Sequence, residues 1–285
     1  MKICTAVPGM LTAVLRTVLL LTTLGVSPWV VAATIDANKP TVLITGANRG
    51  IGLAFTDHYI NDGWNVIATA RAPERADDLL NLAENHENLL IEQLDVTDHG
   101  RIRELAETFS DTPIDVLLNN AGVLGALEEQ SLGNFDRETF EHVMAVNVLA
   151  PLKMIEAFAD HVAASKQRKI VTITSGAGVQ SRPLTSGGRY YYRISKTSVN
   201  MLMRIAQADL ADRGIILIPI APGMVRTDML REAFGGNLPP AGAGGMASGP
   251  LMPAESVAGM VRVIESVDPD YDGRPLNHDG STLPW

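Results

Sequence analysis

One pair in the chain sets a phenol and an ammonium four residues apart: Tyr192 and Lys196, in Tyr192-Arg193-Ile194-Ser195-Lys196. Tyr190 and Tyr191 have Ile194 and Ser195 at that offset, so the spacing singles out Tyr192. On a helix, residues i and i+4 share a face. A cation beside a phenol favours phenolate and lowers a pKa that starts near about 10. Tyr192 is then a usable general acid or base near neutral pH. The same spacing also describes an ordinary surface pair, so alone it decides little. Ser175 adds to it, because it directly follows residues 169–174, an apolar run that reads as a strand. A hydroxyl at the C-terminal end of a parallel strand faces the ligand crevice and can hydrogen-bond a substrate carbonyl. The plainer reading is a loop-start serine bonding its own backbone. No Gly-x-Ser-x-Gly surrounds Ser175, which argues against a nucleophile. The six His residues show no ligand spacing and read as surface or helix residues, which argues against metal catalysis.

A second cluster points to a dinucleotide. Thr45-Gly46-Ala47-Asn48-Arg49-Gly50-Ile51-Gly52 lies between a strand-like run and a helix-like one. Glycines let the backbone turn sharply and approach a pyrophosphate, while the helix that follows offers free N–H groups and a positive dipole end. Plain turns also use glycine, so the strand–turn–helix context carries the weight. NAD-selective sites place Asp or Glu at the end of the second strand, to accept from the ribose 2′-OH. Here Ala70 is followed by Arg71, with no carboxylate until Glu74. Arg49 and Arg71 suit a 2′-phosphate through charge-assisted, bidentate hydrogen bonds, so the expected cofactor is NADP(H). An exposed helix-start arginine is the alternative for Arg71.

These groups need elements to position them. Strands are expected at residues 41–45, 65–70, 89–94, 114–119, 169–174 and 215–220, with content suited to burial on both faces. Helices are expected near 51–62, 74–85, 101–110, 136–165 and 192–213, with Pro151 interrupting or kinking the fourth. Alternating strands and helices imply an α/β fold, a single doubly wound, Rossmann-type parallel sheet with helices on both faces. Residues 235–253 are rich in Gly, Pro and Ala and too long for a tight connection. The segment 231–253 reads as a flexible lid over a substrate or, more plainly, as a surface insertion.

The chain has 285 residues, 46% of them hydrophobic, which is enough for a real core. Its net charge of −9 does not favour nucleic acid or anionic lipid. A single Cys excludes an intrachain disulfide framework or a Cys-based zinc site. Lys2 and Arg16 are the only charges before Asp36, and residues 18–26 have the length of a signal-peptide core. Val31-Ala32-Ala33 offers small residues for cleavage. Residues 1–33 therefore read as a signal peptide or an uncleaved membrane anchor, with membrane association through 10–33, and residues 34–285 as the folded domain. A wrongly chosen upstream start, giving a cytosolic enzyme, is the competing reading.

Taken together and in order, the motifs resemble the short-chain dehydrogenase/reductase superfamily over roughly residues 39–285. They are TGANRGIG at 45–52, Asp95-Val96, Asn119-Asn120-Ala121-Gly122, Asn147, Ser175, YRISK at 192–196, and Pro222-Gly223 followed by Thr227. YRISK, PGMVRTDM at 222–229 and the ending LNHDGSTLPW resemble the C-factor/sniffer-like carbonyl reductase branch. The resemblance implies that Tyr192 gives the proton to the carbonyl oxygen as hydride arrives from the nicotinamide. It implies that Lys196 binds the nicotinamide ribose, that Ser175 orients the carbonyl and that Asn147 holds a water in a proton relay. Gly46, Asn48, Arg49, Gly50, Ile51, Gly52, Arg71, Asp95, Val96, Asn120, Ala121, Gly122, Pro222, Gly223, Val225 and Thr227 would contact the cofactor. A small carbonyl or alcohol substrate and a homodimer or homotetramer are implied with them. The interval from Ser175 to Tyr192 and the Gly-rich stretch after Leu230 are both longer than this branch shows, which bears on substrate choice. A signalling or surface-associated binding protein on the same fold is the alternative, motivated by the leader and the C-factor likeness. An epimerase or dehydratase is disfavoured, since little chain remains for a C-terminal substrate domain.

Overall fold

The computed structural model describes residue 1 and residues 35–179, 181, 187–240 and 249–284. By its contacts the chain divides into Met1–Val31 and Ala32–Trp285. The leader expected at 1–33 lies, beyond Met1, outside the described residues. So do residues 180 and 182–186, and residues 241–248 of the expected lid.

Short apolar runs form the sheet: β1 (Thr41–Ile44), β2 (Asn65–Ala70), β3 (Leu89–Gln93), β4 (Val116–Asn119), β7 (Lys169–Ile173), β8 (Ile216–Ala221) and β9 (Leu276–Asn277). Their order is β3-β2-β1-β4-β7-β8-β9, and every neighbouring pair is parallel. A two-stranded antiparallel hairpin, β5 (Gln130–Ser131) and β6 (Asn134–Phe135), stands apart. β1 pairs with β2 on one side and β4 on the other, so the winding reverses there and opens a crevice at the strands' C-terminal ends.

Helices cover both faces: α1 (Gly50–Asn61), α2 (Asp77–Asn85), α3 (His99–Thr108), α4 (Arg137–Met144), α5 (Ala150–Ala163), α6 (Tyr190–Leu210), α7 (Asp228–Ala233) and α8 (Pro253–Ser266). The strands alternate between two cores. Val42 and Ile44 point to one, with Phe55 of α1, Leu79 of α2 and Met260 of α8; Leu43 points to the other, with Leu105 of α3, Phe158 of α5 and Met203 of α6. Each such wholly buried side chain contributes roughly 1.5–3 kcal/mol.

Five of these elements went unread in the sequence: β5, β6, α7, α8 and β9. α8 begins at Pro253, the residue closing the Gly-rich stretch, and proline is well suited to a first helical position. The long helix expected at 136–165 is broken as Pro151 requires, by a π turn at Ala145–Leu149 between α4 and α5. Pro151 has no N–H to give the Asn147 carbonyl four residues back, and the wider turn absorbs the mismatch.

Candidate active site

A cavity of about 1030 Å³ occupies the crevice. Its floor is the glycine turn. Gly46 and Gly50 take positive φ, +67° and +58°, which an L side chain rarely adopts. A Cβ on Gly52 would come within 2.2 Å of the Gly46 carbonyl oxygen, so only glycine fits. α1 starts at Gly50 with no side-chain cap and no acidic residue in its first turn, leaving its N–H groups available to an anion. The turn is braced from β4: the Asn120 side chain donates to the carbonyls of Thr45 (2.9 Å) and Gly46 (3.0 Å), and the Thr45 hydroxyl accepts from the N–H groups of Asn120 and Ala121.

Arginines stand beside this turn. Arg49, Arg71 and Arg75 all line the cavity, and Arg75 was not anticipated. Arg75 sits in a single 3₁₀ turn, Pro73–Arg75, that returns the chain towards Arg71. Arg49 meets Asp228 at 3.4 Å, with both side chains largely exposed, so the guanidinium remains available. Asp95 follows β3; burial works to raise its carboxyl, but hydrogen bonds from Thr97 and the charge of Arg71 hold it below its usual range.

Ser175, Tyr192 and Lys196 share the wall beyond. Ser175 lies two residues past β7 and caps a short 3₁₀ turn, its hydroxyl accepting from the Ala177 N–H at 3.1 Å. Lys196 is buried, and its ammonium donates to the Ile173 carbonyl at 2.8 Å, 5.8 Å from the Tyr192 ring centre. Burial lowers Lys196 to about 8. Burial also pushes the Tyr192 phenol up, against the smaller downward pull of the Ser175 hydroxyl and the Arg189 guanidinium. This corrects the expectation that Lys196 lowers Tyr192: here the phenol's own desolvation outweighs every neighbouring charge.

The anticipated residues all line the cavity except Asn147. Asn147 is buried behind the wall, where its carboxamide pairs with both the N–H and the carbonyl of Val123 and donates to the Ser195 hydroxyl at 3.0 Å. That hydroxyl donates in turn to the Tyr192 carbonyl at 2.8 Å. Asn147 thus ties the loop after β4 to the first turn of α6. Pro222, Gly223, Val225 and Thr227 follow β8; the Thr227 hydroxyl caps α7, and its methyl would lie 3.3 Å from a Cβ on Gly50, closing the floor.

His278, read in the sequence as a surface or helix residue, lies instead on the cavity wall just after β9. It packs between Gly223 and Gly259, with Nδ1 enclosed and unpartnered among the described residues. Arg189 and Phe234 reach the cavity from the two segments expected to shape the substrate pocket, and Arg193 reaches it without having been anticipated. Of these, only the LNHDGST ending had carried a recognisable signal.

The family profile described as short chain dehydrogenase matches residues 40–237. The NADPH-bound carbonyl reductase of chicken fatty liver is similar in structure, with a TM-score of 0.76 and 32% identity over 87% of this chain and 99% of that one. The carbonyl reductase Sniffer of Drosophila melanogaster superposes with a TM-score of 0.74 at 26% identity, over 87% of this chain and all of that one. The C-signal protein of Myxococcus xanthus is 32% identical over 184 residues, 65% of this chain and 100% of its own length. The chain therefore belongs to the short-chain dehydrogenase/reductase family of oxidoreductases and has carbonyl reductase-like character.

Proposed function

We propose that the protein is an NADP(H)-dependent oxidoreductase that interconverts a small carbonyl compound and its alcohol, with Ser175, Tyr192 and Lys196 as the working side chains. One observation carries this reading: the three share a wall of the cavity whose floor is a glycine turn with room for no side chain at residue 52. The likeness to an NADPH-bound carbonyl reductase supports the cofactor.

The residues present fit the dinucleotide. Gly46, Asn48, Gly50, Ile51 and Gly52, with the first N–H groups of α1, would receive the pyrophosphate. Arg49, Arg71 and Arg75 would receive the 2′-phosphate, where guanidinium forks match its oxygens. Asp95 and Val96 would flank the adenine, and Asn120, Ala121 and Gly122 would line the middle. Pro222, Gly223, Val225 and Thr227 would stand at the nicotinamide end, with Thr227 meeting the carboxamide. When bound, the reduced cofactor supplies the hydride for the carbonyl carbon.

The chain supplies orientation and the proton. The Ser175 hydroxyl donates to the carbonyl oxygen and fixes its direction. Tyr192 enters as the neutral phenol, the form that burial favours, and gives its proton to that oxygen as negative charge develops there. Lys196, next to it, stabilises the phenolate that results and holds the ribose hydroxyls. Asn147 positions the segment from behind the wall through its bonds to Val123 and Ser195.

Homo-oligomerisation fits the exposed apolar side chains of Leu149, Leu152, Ile194, Met201 and Ile205 along α5 and α6. The test is NADPH oxidation across aldehydes, quinones, diketones and steroid-like ketones, with protein starting near Thr34. Turnover with NADPH over NADH, abolished in Tyr192→Phe, is expected. No oxidation of either cofactor, or full activity in Tyr192→Phe, overturns the reading.

A further inference from the structure

Beside Tyr192 the cavity holds two positive charges that the reduction of a neutral carbonyl does not use. Arg189 and Arg193 lie one turn apart at the start of α6, joined by the Arg193 N–H donating to the Arg189 carbonyl at 2.9 Å, and both side chains line the cavity. Among the described residues neither is in an ion pair. The carboxylates on the cavity wall are engaged elsewhere: Asp228 with Arg49 and Arg231, Asp95 with Thr97, and Asp279 with Ser281. The Nε of Arg193 is enclosed and has no hydrogen-bond partner among the described residues, and burial together with Arg189 depresses its guanidinium. Two adjacent like charges, half-buried in a chain of net charge −9, are an unfavourable arrangement that an anion would relieve.

The backbone adds to this. Arg189 takes a left-handed conformation, φ 55° and ψ 40°, which a non-glycine residue adopts rarely; Arg168, away from the cavity, is the other described residue that does. In Arg189 that conformation places the guanidinium carbon 5.9 Å from the Phe234 ring centre, beyond α7. Leu230, Ala233, Phe234 and Leu283 give the same region an apolar surface.

We propose that the substrate carries an anionic group, a carboxylate on an apolar or aromatic body that also bears the reducible carbonyl, and that Arg189 and Arg193 hold that carboxylate. This rests on the carbonyl reductase reading and names its substrate class. The carbonyl stands at Ser175 and Tyr192, and the charged end reaches the first turn of α6.

The probes are 4-carboxybenzaldehyde and its methyl ester, compared by kcat/KM in NADPH oxidation with the full chain. The acid is expected to exceed the ester by about tenfold or more, and its advantage to shrink as salt is added. Arg189→Gln and Arg193→Gln each collapse the acid-to-ester ratio, whereas Arg193→Lys keeps part of it. A general loss of activity moves both substrates and leaves the ratio unchanged. An ester preference in the unmodified protein, or a ratio that survives both glutamine variants, overturns the proposal. Reduction of neither aldehyde counts against the reductase reading; calorimetric binding of benzoate against benzamide, with NADP present, then decides. Benzoate binding that is absent, or no tighter than benzamide binding, overturns the proposal.

Discussion

The glycine turn and the first turn of α6 face one cavity, yet the chain builds them in different ways. The turn is local: residues 45–52 carry both its conformation and its ligand groups, and one side chain, Asn120, locks it to the neighbouring strand. The wall around Tyr192 is assembled from distant pieces, Ser175 after β7, α6, the segment after β8, and His278 after β9. A motif that fixes its own backbone serves a constant ligand such as a dinucleotide. A wall drawn from several loops can change one piece without disturbing the rest, as a site for a variable substrate requires.

If the two walls are separable, variants on each should affect different constants. Tyr192→Phe should give the largest effect, a loss in kcat of roughly 10²–10⁴-fold with the Kd for NADPH unchanged in a fluorescence titration. A parallel loss of NADPH binding would join the walls and break the comparison. Gly52→Ala should do the reverse. Its new methyl meets the Gly46 carbonyl at 2.2 Å, and overpacking of about 1–3 kcal/mol corresponds to roughly 10–100-fold weaker NADPH binding, with kcat at saturation largely retained. Arg71→Ala should sharpen the picture within the cofactor wall by lowering the NADPH-over-NADH ratio in kcat/KM about tenfold, through NADPH alone.

The smallest effect is a pH dependence centred on Lys196. Burial lowers its pKa from 10.5 to about 8, so between those values the unfolded chain holds more protons than the folded one. Stability therefore gains with rising pH across that window from this group, and its charged form carries a penalty below it. Cofactor binding, which uses the ammonium, should weaken over the same window. Opposite slopes in melting temperature and in NADPH affinity, both removed in Lys196→Met, would check this; equal slopes in the variant would exclude Lys196 as their source.

Much of the architecture was readable because burial on both faces leaves runs such as Val42–Leu43–Ile44 that resemble nothing else. The glycine turn was readable for the same local reason. β9 was not, since a two-residue strand has no periodicity, and α8 was hidden behind its Gly-rich approach. The spacing of Tyr192 and Lys196 was legible, but not the balance between them. Spacing reports which charges are near, whereas depth of burial, set by the whole fold, decided that the phenol rises. Arg189 and Arg193 were invisible as a pair because their meaning depends on carboxylates that are occupied elsewhere. His278 gave no hint of its place because its neighbours, Gly223 and Gly259, are far away in sequence.

The π turn at Ala145–Leu149 holds one residue more than a regular helix would use over the same rise. Removing that residue would leave Pro151 inside a regular helix, without the wider turn that accommodates it, and would swing Asn147 by about 100°, away from Val123 and Ser195. The shortened protein is expected to lose heat resistance and turnover together. Stabilising changes in this enzyme are therefore better sought outside residues 145–151.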